Sequence, residues 1–312
     1  MELLIMLLVL FNGSVVSNSI GERLQFASTE DAKKMLTSED SFTKSWSNFD
    51  IESRLQKSSG TKEELFELIS SKVLEWTDQE KQHMMQSVEA VESKLEAQGI
   101  KLPLPDELLL VKTSGEEEGG AVAYTRSNYI VFTDGLMNMP QQQLEHLFLH
   151  ELFHVLTRNN ESFRSAMYNI IGFEIGEVVE YPSEIKQLRI TNPDAPQTDS
   201  YIKLQANGSD HNCMMVLYSD RNYDGGSFFK YLNIGFLALD EDKKQARLKD
   251  GKAVVFAMNE VEGFFEQVGR NTQYIIHPEE ILAENFAMAI STKRDLANSE
   301  IPEAILKYLK SE

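Results

Sequence analysis

The spacing of apolar residues predicts helices in the first third of the chain. The segments TKEELFELISSKVLEW and QEKQHMMQSVEAVESKLEAQGI place apolar residues about every 3.6 positions, as on one face of a helix. Thr61 followed by Glu64 resembles a capping box at a helix N-terminus. One apolar stripe consists of Leu65, Leu68, Ile69, Val73 and Leu74. We therefore expect a helical N-terminal region over residues 20–100.

The pattern changes after Pro103 and Pro105. ELLLVKT, GGAVAYT and NYIVFTD are short β-favouring runs separated by Gly, Ser and Asn, which favour turns. A long apolar run, PQQQLEHLFLHELFHVLTRN, then predicts a helix with Pro140 in its first turn. NYIVF (128–132) is compatible with two structures: an edge strand that pairs with an extended peptide, or an ordinary internal strand.

The remainder of the chain predicts helix, then strands, then helix. Residues 161–180 have a helical pattern, and residues 189–256 return to strands and turns. HPEEILAENFAMAISTK then predicts a helix with Pro278 in its first turn. This order indicates an α+β fold. We expect one large domain over residues 101–312, with a strand-rich insert at about 189–256.

Composition and charge narrow the range of partners. The apolar fraction of 42% in 312 residues is sufficient for a sizeable core. A formal net charge of -19 disfavours nucleic acid and anionic membranes as partners, because both would be repelled. Cys213 is the only cysteine, which excludes an intramolecular disulfide and a cysteine-based zinc site.

The N-terminus has the features of an export signal. An apolar run from Leu3 to Phe11 is too short to span a bilayer, and small residues suited to cleavage follow it. Glu2 departs from the usual pattern, in which a Lys or Arg occupies this position. We expect residues 1–19 to be a signal peptide and the mature protein to be periplasmic or extracellular, with no stable membrane span.

The stretch HELFH carries the candidate chemistry. On a helix, His150 and His154 lie one turn apart on the same face and can direct their imidazoles to one zinc ion. Glu151 is rotated by about 100°, beside the position of a zinc-bound water, where a general base is needed. His146 lies one turn further back and is expected to be an ordinary hydrogen-bonded histidine.

A catalytic zinc needs a third protein ligand, and two later segments can supply a glutamate. A metzincin is excluded because Thr157 and Asn160 stand where that motif requires Gly and His. In the C-terminal helix, Glu280 would bind zinc while Glu284, one turn on, would accept a hydrogen bond from a ligating histidine. The alternative pair, Glu174 and Glu177, follows the zinc helix more closely.

HELFH, followed by an E-x-x-A-E-x-F helix at 280–286, resembles the gluzincin class of zinc metallopeptidases and is similar to uncharacterised bacterial zinc-dependent peptidases. The resemblance covers roughly residues 120–295 and is strong only at the two motifs. It implies a zincin-like domain with His150, His154 and Glu280 as ligands, Glu151 as base and Glu284 as a supporting residue. The chain departs from the class in one respect: 125 residues lie between His154 and Glu280.

The expected activity is hydrolysis of a peptide or protein substrate by a water that zinc and Glu151 activate. Tyr274 and His277, just before the Glu280 helix, are candidates for stabilising the oxyanion, and His277 is equally suited to cap that helix. The alternative from another functional class is a catalytically silent, zincin-like binding or assembly protein that keeps zinc without turnover.

Overall fold

The computed structural model describes residues 19–291 and 295–311. The predicted signal peptide, residues 1–19, lies outside this range except for Ser19. The described residues form a mixed α+β structure, which confirms the predicted fold class at this level. None of the described helices is long and apolar enough for a bilayer crossing.

Helices come first in the chain, frame the central motif and return at the end. The described residues form α1 (Ile20–Arg23), α2 (Thr29–Leu36), α3 (Ser41–Lys44), α4 (Asn48–Leu55), α5 (Lys62–Lys72), α6 (Asp78–Ala97), α7 (Gln141–Asn159), α8 (Glu161–Ile170), α9 (Ser183–Leu188), α10 (Phe264–Val268), α11 (Pro278–Ile290) and α12 (Glu300–Leu309).

The strands of the described residues belong to three sheets. They are β1 (Leu24–Phe26), β2 (Leu108–Thr113), β3 (Ala123–Arg126), β4 (Tyr129–Thr133), β5 (Phe173–Ile175), β6 (Ser200–Ala206), β7 (Ser209–Tyr218), β8 (Asn233–Ala238), β9 (Leu248–Lys249), β10 (Lys252–Ala253) and β11 (Val255–Ala257). The sheets have the strand orders β1-β2-β4-β3, β10-β9 and β11-β8-β7-β6-β5.

β3 is an edge strand of the first sheet and lies beside α7, the helix that carries HELFH. β1, β2 and β4 are parallel, and β3 runs antiparallel to β4. NYIVF corresponds to β4, which lies between β2 and β3 and is therefore an internal strand. The edge-strand alternative for NYIVF is wrong, because both sides of β4 are hydrogen-bonded to neighbouring strands. The edge belongs to β3.

Capping residues and proline in the sequence correctly predicted where α5 and α11 begin. Thr61 and Glu64 form the predicted capping box at the start of α5. Pro278 lies in the first turn of α11, and His277 is the N-cap. The prediction of one helix over 161–180 is wrong in its second half. α8 ends at Ile170 because Gly172 takes a φ of +76°, and Phe173 then enters strand β5.

The strand-rich segment packs on the same core as α7, the helix that carries HELFH. β6, β7 and β8 form an antiparallel meander, with β11 and β5 at its two edges. Its inner face contributes Ile202, Met215 and Phe236 to a cluster that also contains Phe153 of α7 and Phe286 of α11. Removal of this apolar surface from water therefore ties the segment to the two helices that carry the candidate ligands.

A buried ion network joins the N-terminal helices to the rest of the protein. The Arg54 guanidinium donates to Asp50 at 2.7 Å and to Glu118 at 3.0 and 2.7 Å. It also donates to the carbonyl of Thr191 at 3.0 Å, and the Thr191 amide donates to Asp50 at 2.9 Å. All three charged side chains are buried. Removal of the cation would leave two buried carboxylates without their charge partner.

The Arg54→Ala variant should lower the free energy of unfolding by about 3–5 kcal/mol, the usual penalty for breaking a buried ion pair. Urea unfolding followed by tryptophan fluorescence measures this change. Lys57→Ala is the matched control, because Lys57 pairs with Glu64 at the exposed surface, and it should cost less than about 1 kcal/mol. Equal effects of the two substitutions would contradict a structural role for the buried network.

Candidate metal centre

The two histidines of HELFH and one glutamate of α11 converge on one point. The Glu280 carboxylate lies 3.0 Å from Nε2 of His150 and 3.6 Å from Nε2 of His154. A tetrahedral zinc with bonds of roughly 2.0–2.1 Å separates its ligand atoms by about 3.3 Å. Both separations are close to this value, and the three side chains can hold a metal ion.

Burial supports the same assignment. His154 and Glu280 are 0% exposed and His150 is 6% exposed. Nε2 of His154 is buried and has no hydrogen-bond partner among the described residues, although its ring faces Glu280. A buried, unsatisfied ring nitrogen is unfavourable, and a metal ion would satisfy it. Neutral imidazoles and a carboxylate are the donors that zinc prefers.

Glu284 supports His150 in the predicted way. Its carboxylate lies 3.0 Å from Nδ1 of His150, on the side of the ring opposite Glu280. Such a bond fixes the ring orientation and leaves Nε2 for a metal. His146 contacts the other oxygen of Glu284 at 3.4 Å and makes no contact with Glu280. The structure thus places His146 as a hydrogen-bonded histidine behind the site.

Glu279 is a supporting residue that the sequence analysis missed. Its carboxylate lies 3.3 Å from Nδ1 of His154 and accepts hydrogen bonds from Thr157 and from Tyr168, the latter at 2.6 Å. It therefore orients His154 as Glu284 orients His150. One sequence signal was available: a second glutamate beside Glu280 in the first turn of an apolar helix.

The histidines and carboxylates of the site shift one another's pKa values. Burial disfavours charge on His150, but its hydrogen bonds to Glu280 and Glu284 outweigh this and raise its pKa to about 10. Burial also opposes ionisation of Glu280, yet His154 and His150 lower its pKa below the usual range. Contacts with the carboxylates thus favour the protonated histidines, and contacts with the histidines favour the ionised form of Glu280.

Glu151 lies beside the ligand set without belonging to it. Its carboxylate accepts a hydrogen bond of 2.7 Å from Thr125 of β3. Burial raises the pKa of Glu151, and the charges of His154 and His150 only partly oppose this shift. A carboxylate with a raised pKa is a stronger base, which suits acceptance of a proton from water.

Two further residues reach the site from the strand-rich segment, and neither was predicted. The Asn192 amide donates to the second oxygen of Glu280 at 2.5 Å. Asp194 forms a second candidate metal group with Glu151 and His154, in which one ligand atom from each residue lies within 4.8 Å of the others. The sequence contained no signal for either residue, because TNPD reads as a turn.

Tyr274 and His277 occupy different positions relative to the site. The Tyr274 ring lies over His150 with 6.1 Å between ring centroids, and Glu280 is the main cause of its raised pKa. His277 directs Nδ1 to the amide of Glu279 at 3.1 Å and caps α11. Burial lowers the pKa of His277 to about 4. Of the two proposed oxyanion donors, only Tyr274 faces a ligand.

The alternative ligand pair lies away from the histidines. Glu174 is exposed on β5, where it accepts a hydrogen bond of 2.6 Å from Tyr201. Glu177 is also exposed and pairs with Lys244 at 2.7 Å. The structure brings neither residue into the group formed by His150, His154 and Glu280.

Comparison with known proteins gives one match. Residues 112–162, which run from the end of β2 through the HELFH helix, match the family model described as the eCIS core domain. This match covers 51 of the 312 residues and includes three of the site residues: His150, Glu151 and His154. No curated protein and no solved structure matches the chain significantly.

Elemental analysis of the purified protein should find one zinc per chain, and Glu280→Ala should lose most of it. Removal of one of three protein ligands leaves too few donors for a closed tetrahedral set. Glu174→Ala is the matched control and should retain its zinc, because its carboxylate is bound to Tyr201 on the surface. Loss of zinc from the Glu174 variant instead would show that the ligand set is wrong.

Zinc binding should release protons, and zinc affinity should rise with pH. The pKa of His150 is raised to about 10 and the pKa of His154 is raised as well, so protons compete with zinc, which binds only the neutral imidazole. Calorimetric titrations in buffers of different ionisation enthalpy measure the number of protons released. Binding without proton release would contradict the hydrogen-bonded histidine arrangement.

Proposed function

We propose that this protein is a zinc-dependent metallopeptidase with a zincin-like catalytic core. The main support is geometric: His150, His154 and Glu280 form a buried ligand set, and Glu151 stands next to it without being part of it. The family matched by residues 112–162 is associated with zincin-like, metallopeptidase-like cores, which agrees with this proposal.

Each residue around the ligand set would have a separate task. A zinc ion held by the three ligands would supply Lewis acidity, polarising a carbonyl and making water more acidic. Glu151 would take the proton from the attacking water and pass it to the leaving amine. Thr125 orients the Glu151 carboxylate through its 2.7 Å hydrogen bond. Glu279 and Glu284 keep His154 and His150 in the ligating orientation.

The proposal includes export, which rests on the pattern of residues 1–19 alone. The substrate would be a peptide or protein. The acidic chain, with a net charge of -19, would attract basic segments more readily than acidic ones.

A second candidate function is a zinc-holding binding or assembly protein without turnover. One observation favours it: Asn192 and Asp194 enclose the ligand set, and both ligating histidines are buried. A site that stays closed would bind metal and cleave nothing. Glu151 argues for catalysis, because a metal site used only for structure has no need of a buried base beside it.

The Glu151→Gln variant separates the two candidates. It should keep one zinc per chain and lose cleavage of an unfolded protein substrate by about 10²–10⁴-fold, the usual contribution of a general base. Zinc content and substrate cleavage are measured on the same preparations.

Glu145→Gln is a suitable control on the same helix, because Glu145 pairs with Lys94 and lies outside the ligand group. Undiminished cleavage in the Glu151 variant would refute the proposed mechanism. Bound zinc without cleavage in every preparation, including an Asp194→Asn variant that opens the site beside Glu151, would favour the binding protein.

A further inference from the structure

The segment Thr191–Asp194 crosses the open side of the candidate metal centre. We call it the crossing segment. It comes from the strand-rich part of the chain, yet it contacts the ligand Glu280 through Asn192 and lies next to Glu151 and His154 through Asp194. Thr191, Pro193 and Asp194 are buried. Side chains of the crossing segment therefore lie against the ligand set and its neighbour Glu151.

Both ends of the crossing segment are held in place. At its start, Asp50 and Arg54 bind the amide and the carbonyl of Thr191 at 2.9 and 3.0 Å. At its end, the Arg158 guanidinium donates to the carbonyls of Pro193 and Asp194 at 3.1 and 2.7 Å. Bonds to buried charged groups are among the stronger hydrogen bonds in proteins. The segment is thus a fixed feature of this arrangement.

The Asp194 side chain occupies space that both a bound substrate and its attacking water would need. Its Oδ1 accepts a hydrogen bond of 2.5 Å from the Thr125 amide. This amide is a donor on the free edge of β3. An extended peptide that added to this edge would require the same donor. Its carboxylate also lies on the Glu151 side of His154, where Glu151 would otherwise hold a water.

The space that remains beside the crossing segment is small. A cavity of about 70 Å³ lies between Asn192, Asp194, Tyr274 and the ring of Phe229. This volume admits a few water molecules and not a peptide chain. Phe229 and Tyr274 are 54% and 43% exposed, so the outer wall of the cavity opens to solvent. Movement of the crossing segment would join this cavity to the metal centre.

We propose that Asp194 is a fourth, self-supplied ligand of the metal centre, and that the crossing segment holds the protein in a latent form. This inference rests on the proposed function, because latency presupposes an activity. Two observations carry it: Nε2 of His154 is fully buried and unsatisfied, and a carboxylate oxygen of Asp194 lies within 4.8 Å of ligand atoms of His154, which both candidate groups share, and of Glu151. A cation bound by His154 and Asp194 together would satisfy both.

The charge of the site agrees with a fourth anionic ligand. Asp194, Glu151, Glu279 and Glu280 are four buried carboxyl groups around His154. Carboxylates this close repel one another in a low-dielectric setting, and a divalent metal bound among them would offset that repulsion. Activation then requires Asp194 to leave the site, with its contacts to Thr125 and Arg158 broken, and a water to take its position beside Glu151.

Asp194→Asn tests the proposal directly, because it keeps the side-chain shape and removes the charge. Zinc affinity, measured by competition with a chromophoric chelator, should fall by at least about tenfold. The visible spectrum of the cobalt-loaded protein should change, since one ligand is altered. Cleavage of an unfolded protein substrate should rise. Asp210→Asn is the matched control, because Asp210 pairs with Lys203 on the exposed part of β7 and should leave all three readouts unchanged.

Arg158→Gln loosens the crossing segment without altering Asp194. This variant should also cleave faster than the parent, with a smaller loss of zinc affinity. It keeps the test decisive if the Asp194 variant folds poorly, which thermal unfolding of each preparation would show.

The outcomes separate this inference from the proposed function. Weaker zinc binding with faster cleavage supports both. Weaker zinc binding with no cleavage in any variant supports Asp194 as a ligand and refutes the peptidase. Unchanged zinc affinity and an unchanged cobalt spectrum in Asp194→Asn overturn the inference, whatever the cleavage rate. Weaker zinc binding with slower cleavage also overturns it, because Asp194 would then serve the working site.

Discussion

The burial of charged groups between α7 and α11 is the constraint on which the rest of the structure depends. Two imidazoles face Glu280 from α7, and Glu279 and Glu284 each approach the outer nitrogen of one imidazole. An unpaired buried charge costs several kcal/mol, so each acid must meet its histidine. A displacement of α11 by one turn would break all of these contacts together. The charge pattern therefore sets the register of the two helices, and apolar packing around them supplies the stability.

The position of the strand-rich segment depends on the same helix pair, α7 and α11. Its sheet covers the helix pair with apolar side chains such as Ile202 and Phe236, which ties the segment to the core. Its loop then brings Asn192 to Glu280 and Asp194 to Glu151, so the segment contributes side chains to the candidate metal centre. The long separation between the two ligand motifs thus has a structural counterpart: the chain between them folds back and places Asn192 and Asp194 at the site.

Much of the fold could be predicted from local patterns, and the failures have identifiable causes. The helices that carry HELFH and Glu280 follow from apolar spacing and from Pro278. The helix predicted over 161–180 was too long because Gly172, in the left-handed region of φ, ends it and a strand follows. The edge position of β3 was not predictable, since β-favouring runs do not reveal which strand lies outermost.

The sequence by itself determined the pair His150 and His154, because the helical period alone places residues four apart on one face. It also indicated Glu151, and it left Glu280 and Glu174 as competing ligands. Only the tertiary structure placed Glu280, and not Glu174, beside the two histidines, with Glu279, Asn192 and Asp194 around them. Their positions depend on contacts between distant parts of the chain, such as that between Asp50 and Thr191, which are 141 residues apart. Periodicity encodes the neighbours within an element, whereas packing and charge pairing decide which elements meet.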